Sequence, residues 1–219
     1  MPEIDLMSRY PVTQRNSIID ERVKVSDSDR KIAQRFDKEY FDGPRRLGMG
    51  GYLYNSKFFT PVVEDMIKYY GLTDESSILD VGCAKGFMLH DFKVALPDCT
   101  IAGLDISKYC LENSMESVKP FLKYGSCNKL PYEDNSFDLV VSIATIHNLD
   151  IDGVKESLKE IMRVTRKYAF IKVNGYRTQK ECDNLNNWNL VAKTILHVDE
   201  WVSIFNEIGY TEDYYWFNT

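Results

Sequence analysis

The stretch Ile78-Leu79-Asp80-Val81-Gly82-Cys83-Ala84-Lys85-Gly86-Phe87 decides the fold. Ile78 to Val81 reads as a short buried strand. Gly82 and Gly86 frame a turn, and Phe87 to Leu96 reads as a helix stopped by Pro97. Glycines at such a turn permit tight backbone geometry and close approach of a ligand. The helix start adds free N–H groups and a positive dipole end. A dinucleotide fold needs G-x-G-x-x-G at this place. This loop has G-x-x-x-G instead, with an acid two residues before the first glycine. Asp80 disfavours a pyrophosphate and favours a cationic group such as an amino or sulfonium centre.

Working outward, the pattern alternates. Cys99 to Leu104 reads as a strand, Ser107 to Glu116 as a helix and Phe121 to Tyr124 as a strand. Phe137 to Ile143 is the most apolar strand. Gly153 to Val164 is a helix capped by Asp152, and Tyr168 to Val173 is a further strand. Strands spaced by helices mean right-handed β-α-β units and a largely parallel sheet. Upstream, Lys57 to Tyr70 reads as a helix capped by Thr60 and stopped by Gly71. Beyond residue 177, Asn184 to Asn189 reads as a polar loop and Val191 to His197 as a strand. Asp199 to Ile208 is a helix ended by Gly209, and Asp213 to Phe217 is a final aromatic strand.

Composition bounds the function classes. The chain has 219 residues, 44% of them hydrophobic, with 27 Lys+Arg against 33 Asp+Glu and a net charge of −6. Wholesale disorder and a disulfide-stapled miniprotein are excluded. The acidic balance argues against a nucleic-acid partner, since phosphate-backbone binding relies on clustered Lys and Arg. The N-terminal residues lack the basic and apolar regions of a signal peptide. No apolar run is long enough to span a bilayer, so no membrane partner is expected. Five cysteines without C-x-x-C, and three histidines away from them, point to free thiols and no metal. A cytoplasmic location follows as an expectation.

Asp105 ends the strand after the glycine loop, where an acid can accept both ribose hydroxyls of an adenosine group. Later come Leu130-Pro131-Tyr132 and then Ser136-Phe137-Asp138, leading to Ile143-Ala144-Thr145-Ile146-His147. In these three motifs, taken in order from Ser77 to Leu149, the chain resembles the class I S-adenosylmethionine (SAM)-dependent methyltransferases. The resemblance implies a three-layer Rossmann-like α/β fold. Its sheet is seven-stranded and mostly parallel, with one antiparallel C-terminal strand. It implies SAM as cofactor and S-adenosylhomocysteine as product. Asp80 and the loop residues Gly82, Cys83, Ala84 and Gly86 would hold the methionine part. Asp105 would bind ribose and Ile106 would pack on adenine. Ser126 and Cys127 would flank the adenine amine, with Ser126 standing where the family often has an acid. Ile143 and Ala144 would floor the pocket.

The acceptor side is read from position. His147 follows the fourth large strand, and its ordinary pKa suits a general base; a ring that only orients the acceptor is the alternative. Residues 1–56 read as an N-terminal cap and 57–219 as the methyltransferase domain. Tyr40 to Tyr54 carries four glycines, a proline and paired arginines, which suits an ordered lid. This block also resembles one in bacterial small methyltransferases, some of which accompany surface-sugar synthesis. Arg45, Tyr52, Tyr54, Asn174 and Arg177 are the substrate-side candidates. The expected acceptor is a small polar molecule such as a sugar or sugar-linked metabolite. A protein or RNA methyltransferase, aminopropyl transfer and a non-catalytic SAM-binding module stay open. So does the oligomeric state, a homodimer being one case.

Overall fold

A computed structural model describes residues 2–11 and 25–217. Part of the expected cap, residues 12–24, lies outside the described residues. The helices are α1 (Asp27–Ala33), α2 (Lys38–Phe41), α3 (Ser56–Tyr70), α4 (Phe87–Ala95), α5 (Lys108–Glu112), α6 (Ile151–Val164), α7 (Gln179–Trp188) and α8 (Val198–Ile208). The strands are β1 (Ser77–Val81), β2 (Thr100–Asp105), β3 (Leu122–Tyr124), β4 (Phe137–Ile143), β5 (Thr165–Tyr176), β6 (Leu196–His197) and β7 (Asp213–Phe217).

The seven strands form one sheet in the order β3-β2-β1-β4-β5, with β6 and β7 both on the free side of β5. Strand alternation sends successive side chains to opposite faces, and here both faces are covered. Leu79, Val81, Val140, Ile171 and Val173 pack with Val154, Leu158 and Ile161 of α6 and Trp201 and Phe205 of α8. Ile78, Leu139, Val141 and Phe170 face the other way, onto Val63 and Met66 of α3 and Leu89 and Phe92 of α4. This doubly covered sheet explains why the strands are apolar runs. The C-terminal strand ends then line up along one edge, where open α/β sheets hold their ligands.

Several expectations change. The final strand is parallel to β5, not antiparallel, with Phe170 opposite Asp213 and Asn174 opposite Phe217. The reason is α8, which stands between β6 and β7: a helical crossover delivers a parallel strand, whereas only a tight hairpin reverses direction. The first residues reach both the sheet and the cavity, which Met7 lines. Glu3 bridges Tyr214 of β7, and Leu6 and Met7 join the core under α3. Asn184 to Asn189 is not a loop, because Gln179–Trp188 is helical behind a capping box of Thr178 and Glu181. The strand expected at Val191 to His197 shrinks to Leu196–His197. Asn55, not Thr60, caps α3, and Asp150, not Asp152, caps α6.

Candidate active site

One cavity of about 740 Å³ runs along the C-terminal strand edge and is bordered by Tyr40, Arg45, Met49 and Tyr52 of the expected lid. Its first part is built by the β1–α4 turn. Gly82 (φ +88°) takes a left-handed conformation, as does Ala84 (φ +46°). A side chain at Gly82 would meet Thr145, whose Oγ1 lies 2.0 Å from where Cβ would stand. The turn and the β4 exit are therefore packed together with no room for a methyl group.

Two acids define the charge here. Asp105 borders the cavity, and its carboxylate accepts the N–H groups of Ala84 and Ser107, each at 2.7 Å. Each oxygen keeps a second lone pair for a ligand hydroxyl. Burial pushes Asp105 up, against the pull of those N–H groups. Asp80 lies behind the turn, 5% exposed. Burial, with the Asp105 charge added, pushes it up to about 8. At about 8 the Asp80 carboxyl keeps its proton at neutral pH, and a cation beside it would take that proton's place. That is the charge balance a sulfonium or ammonium group would supply, so the site fits SAM. Ile106 borders the cavity while half-exposed, as a residue packing on a base plane would be. Gly82, Ala84, Ser126, Cys127, Ile143 and Ala144 also line it. Asp80, Cys83 and Gly86 do not; they lie behind the turn.

The lid is fastened to this turn. Lys85, 5% exposed, donates from Nζ to Asp42 Oδ2 at 2.6 Å and to the Tyr52 carbonyl at 2.9 Å. Tyr109 donates to the same Asp42 oxygen at 2.6 Å, and the Tyr52 N–H to Asp42 Oδ1 at 2.8 Å. Tyr52 lines the cavity and packs on Phe87 with ring centroids 4.7 Å apart. Lys85 and Asp42 were not singled out in the sequence. They stand 43 residues apart, and no spacing rule joins them.

The acceptor side gathers His147, Asn174 and Arg45 and leaves out two candidates. Tyr54 does not line the cavity; its hydroxyl donates to Asp91 at 2.6 Å and its ring packs on Phe87 and His90. Arg177 lies outside as well and pairs with Glu3 at 2.8 Å. The paired arginines diverge: Arg45 lines the cavity and donates to the Met49 carbonyl, whereas Arg46 pairs with Asp29 at 2.7 Å. Lys172, Lys193 and Arg35 line the cavity too and were missed in the sequence. Lys172 sits in an apolar strand whose register alone reveals which way it faces.

His147 is 4% exposed, and its Nδ1 accepts the Asn174 N–H at 3.2 Å. Burial, aided by the Lys172 charge, pushes it down to about 3. The ring is thus neutral with its proton on Nε2, which makes that nitrogen a hydrogen-bond donor towards the cavity. With its folded pKa below its unfolded one, protonation is resisted across the whole range from about pH 3 to pH 6.5.

A family profile described as a methyltransferase domain matches residues 79–171. The chain is 31% identical over 134 residues to an Arabidopsis thaliana tRNA (carboxymethyluridine(34)-5-O)-methyltransferase, covering 60% of this chain and 31% of that one. It is 30% identical over 137 residues to a Legionella pneumophila malonyl-[acyl-carrier protein] O-methyltransferase, covering 60% and 46%. The chain therefore spans less than half of the length of these two relatives. The crystal structure of the YcgJ protein from Bacillus subtilis shares the fold, with a TM-score of 0.55 at 20% identity over 67% of this chain and 66% of that one. The glycine turn, the two acids and the sheet order, together with the methyltransferase-domain match over residues 79–171, support the class I SAM-dependent methyltransferase superfamily.

Proposed function

We propose that the protein transfers a methyl group from SAM to a small polar acceptor held under the lid. The observation that carries this reading is the single cavity joining the Gly82 turn and Asp105 at one end to His147 and Asn174 at the other. When bound, SAM supplies a methyl group already activated by its sulfonium. The chain's own residues bind, align and exclude water. Asp105 accepts the ribose hydroxyls, and Asp80 balances the positive charge of the methionine part. Ile106, Ser126 and Cys127 border the adenine, and Ile143 and Ala144 form the floor. Residues 38–54 act as the lid, fastened through Asp42. Alignment of two reactants carries a large share of such a barrier. The Nε2–H of His147 donates to the acceptor and fixes its orientation. An acceptor atom that is already nucleophilic needs no base from the protein.

Two tests follow. Asp105→Ala weakens SAM binding by about a hundredfold in calorimetry, the value of two charge-assisted hydrogen bonds; unchanged affinity removes the ribose assignment. Turnover on an acceptor, found by incubating labelled SAM with metabolite and RNA pools, shows no limb between pH 5 and 8 that vanishes in His147→Gln. A His147-dependent limb in that range would restore the base. His147→Gln keeps turnover within about tenfold because its amide N–H replaces the ring donor, while His147→Ala falls further.

A further inference from the structure

The acceptor end of the cavity has a charge opposite to that of the chain. Among the described residues lining the cavity, Arg35, Arg45, Lys172 and Lys193 are cations, and Asp105 is the acid, already at the cofactor end. The four cations come from four separate elements: the exit of α1, the lid, β5, and the loop before β6. Two of them, Lys172 and Lys193, lie beside His147. Lys193 donates its backbone N–H to the His147 carbonyl at 3.1 Å. Lys172 lies opposite Ile143 in the sheet register, and its carbonyl accepts the Ala144 N–H at 2.8 Å. That places Lys172 one strand away from the floor of the cofactor pocket.

Lys172 is only 9% exposed, with its ammonium 4.6 Å from the Phe217 ring centroid and 5.7 Å from that of Tyr10. Two residues on, Asn174 is 2% exposed, and its Nδ2 has no acceptor. Asn174 and Lys172 share one face of β5 by strand alternation. The surrounding wall is apolar, with Phe36, Tyr40, Phe58 and Trp188 in it. The Asn174 amide, a buried donor with its acceptor missing, favours a ligand that brings an acceptor. Cations in a low-dielectric wall strengthen that preference for a full negative charge.

From this arrangement we infer that the acceptor is an oxyanion, a carboxylate or phosphate carried on an apolar body, whose charged end lies at Lys172, Asn174 and Lys193. The inference rests on the proposed methyl-transfer reading and narrows its substrate class. A neutral sugar would leave these donors poorly matched.

The test uses the whole chain saturated with S-adenosylhomocysteine and titrates benzoate, phenyl phosphate and neutral benzamide by calorimetry. Expected is binding of at least one anion about tenfold or more tighter than benzamide, the range of a charge-assisted bond. Lys193→Glu, at an exposed position, and Lys172→Met each reduce that ratio, while S-adenosylhomocysteine affinity is unchanged. Benzoate against phenyl phosphate tells a carboxylate site from a phosphate site. Equal binding of anion and amide overturns the inference, as does a ratio unaffected by Lys193→Glu, or no anion binding up to tens of millimolar. Failure of S-adenosylhomocysteine itself to bind sinks the methyl-transfer reading instead. Should Lys172→Met not fold, the Lys193→Glu ratio decides.

Discussion

Gly82→Ala destabilises the chain by about 2–5 kcal/mol in chemical denaturation and lowers SAM affinity by about a hundredfold. The first figure joins a left-handed residue that gains a Cβ, about 1–2 kcal/mol, to overpacking, about 1–3 kcal/mol. The overpacking is specific: the new methyl would lie 2.0 Å from Thr145 Oγ1 and 2.4 Å from its Cγ2. Neither neighbour is the far end of a flexible side chain, so the turn and the β4 exit must move apart. Both carry cofactor groups. Ala84, in the turn, holds Asp105 by a 2.7 Å hydrogen bond. Ala144, before Thr145, forms the pocket floor at φ +57°. Losing one or two charge-assisted hydrogen bonds to the cofactor through such a displacement costs about a hundredfold in affinity. Gly71→Ala separates the two causes. Gly71 also has a positive φ, +62°, but a Cβ there meets nothing within 4 Å. It should cost about 1 kcal/mol and leave SAM affinity alone. Thr145→Ala should partly restore Gly82→Ala. Equal affinity losses at Gly71 and Gly82 would refute the packing argument.

The contrast between these glycines explains what was legible in the sequence. Gly82, Asp80 and Asp105 could be read because strand ends fix their places locally: one turn and one β-α-β unit suffice. The doubly covered sheet was equally legible from apolar runs such as Leu139-Val140-Val141. What failed depended on contacts distant in the chain. Tyr54 looked like a substrate residue until Asp91, 37 positions away, took its hydroxyl. The helix linking β6 to β7 was legible at Asp199 to Ile208, but the antiparallel direction of β7 was taken from the family resemblance and not from that link. Asn184 to Asn189 was misread because asparagine favours loops, while the Thr178–Glu181 capping box ahead of it was a helix signal passed over. Asp138, within a recognised motif, lies at the opposite end of the sheet. It ties β1 to β4 through the Ser77 N–H at 3.0 Å and Arg166 at 2.6 Å.

The lid fastening gives the second large effect. Asp42→Ala leaves the Lys85 ammonium buried beside the cofactor turn with only the Tyr52 carbonyl. Removing one partner of a buried pair costs about 3–5 kcal/mol, and the partial exposure of Asp42, whose side chain is 21% exposed, brings this towards about 2–4 kcal/mol. Lys85→Met should cost less, because it removes the buried charge and keeps the volume. The double variant should then lie near Lys85→Met alone, a coupling that separates a charge pair from two independent packing losses. Released residues 40–54 should exchange amide protons faster, and SAM should dissociate faster with them. Acid should do the same to the unaltered protein. Burial alone would lift Asp42, but the Lys85 ammonium, the Tyr109 hydroxyl and the Tyr52 N–H outweigh it and hold the carboxyl below its usual range. A carboxyl with a depressed folded pKa stabilises fully above its unfolded value, about 3.9, and loses that contribution as pH falls through the folded one. Lid protection, the intrinsic exchange rate at each pH relative to the observed one, should therefore be flat from neutrality down to about pH 4 and fall below it, with Asp42→Asn already poorly protected at pH 7. If Asp42→Asn and the unaltered chain exchange residues 40–54 at one rate throughout, Asp42 does not hold the lid, and closure must come from the packing of Tyr52 on Phe87 alone.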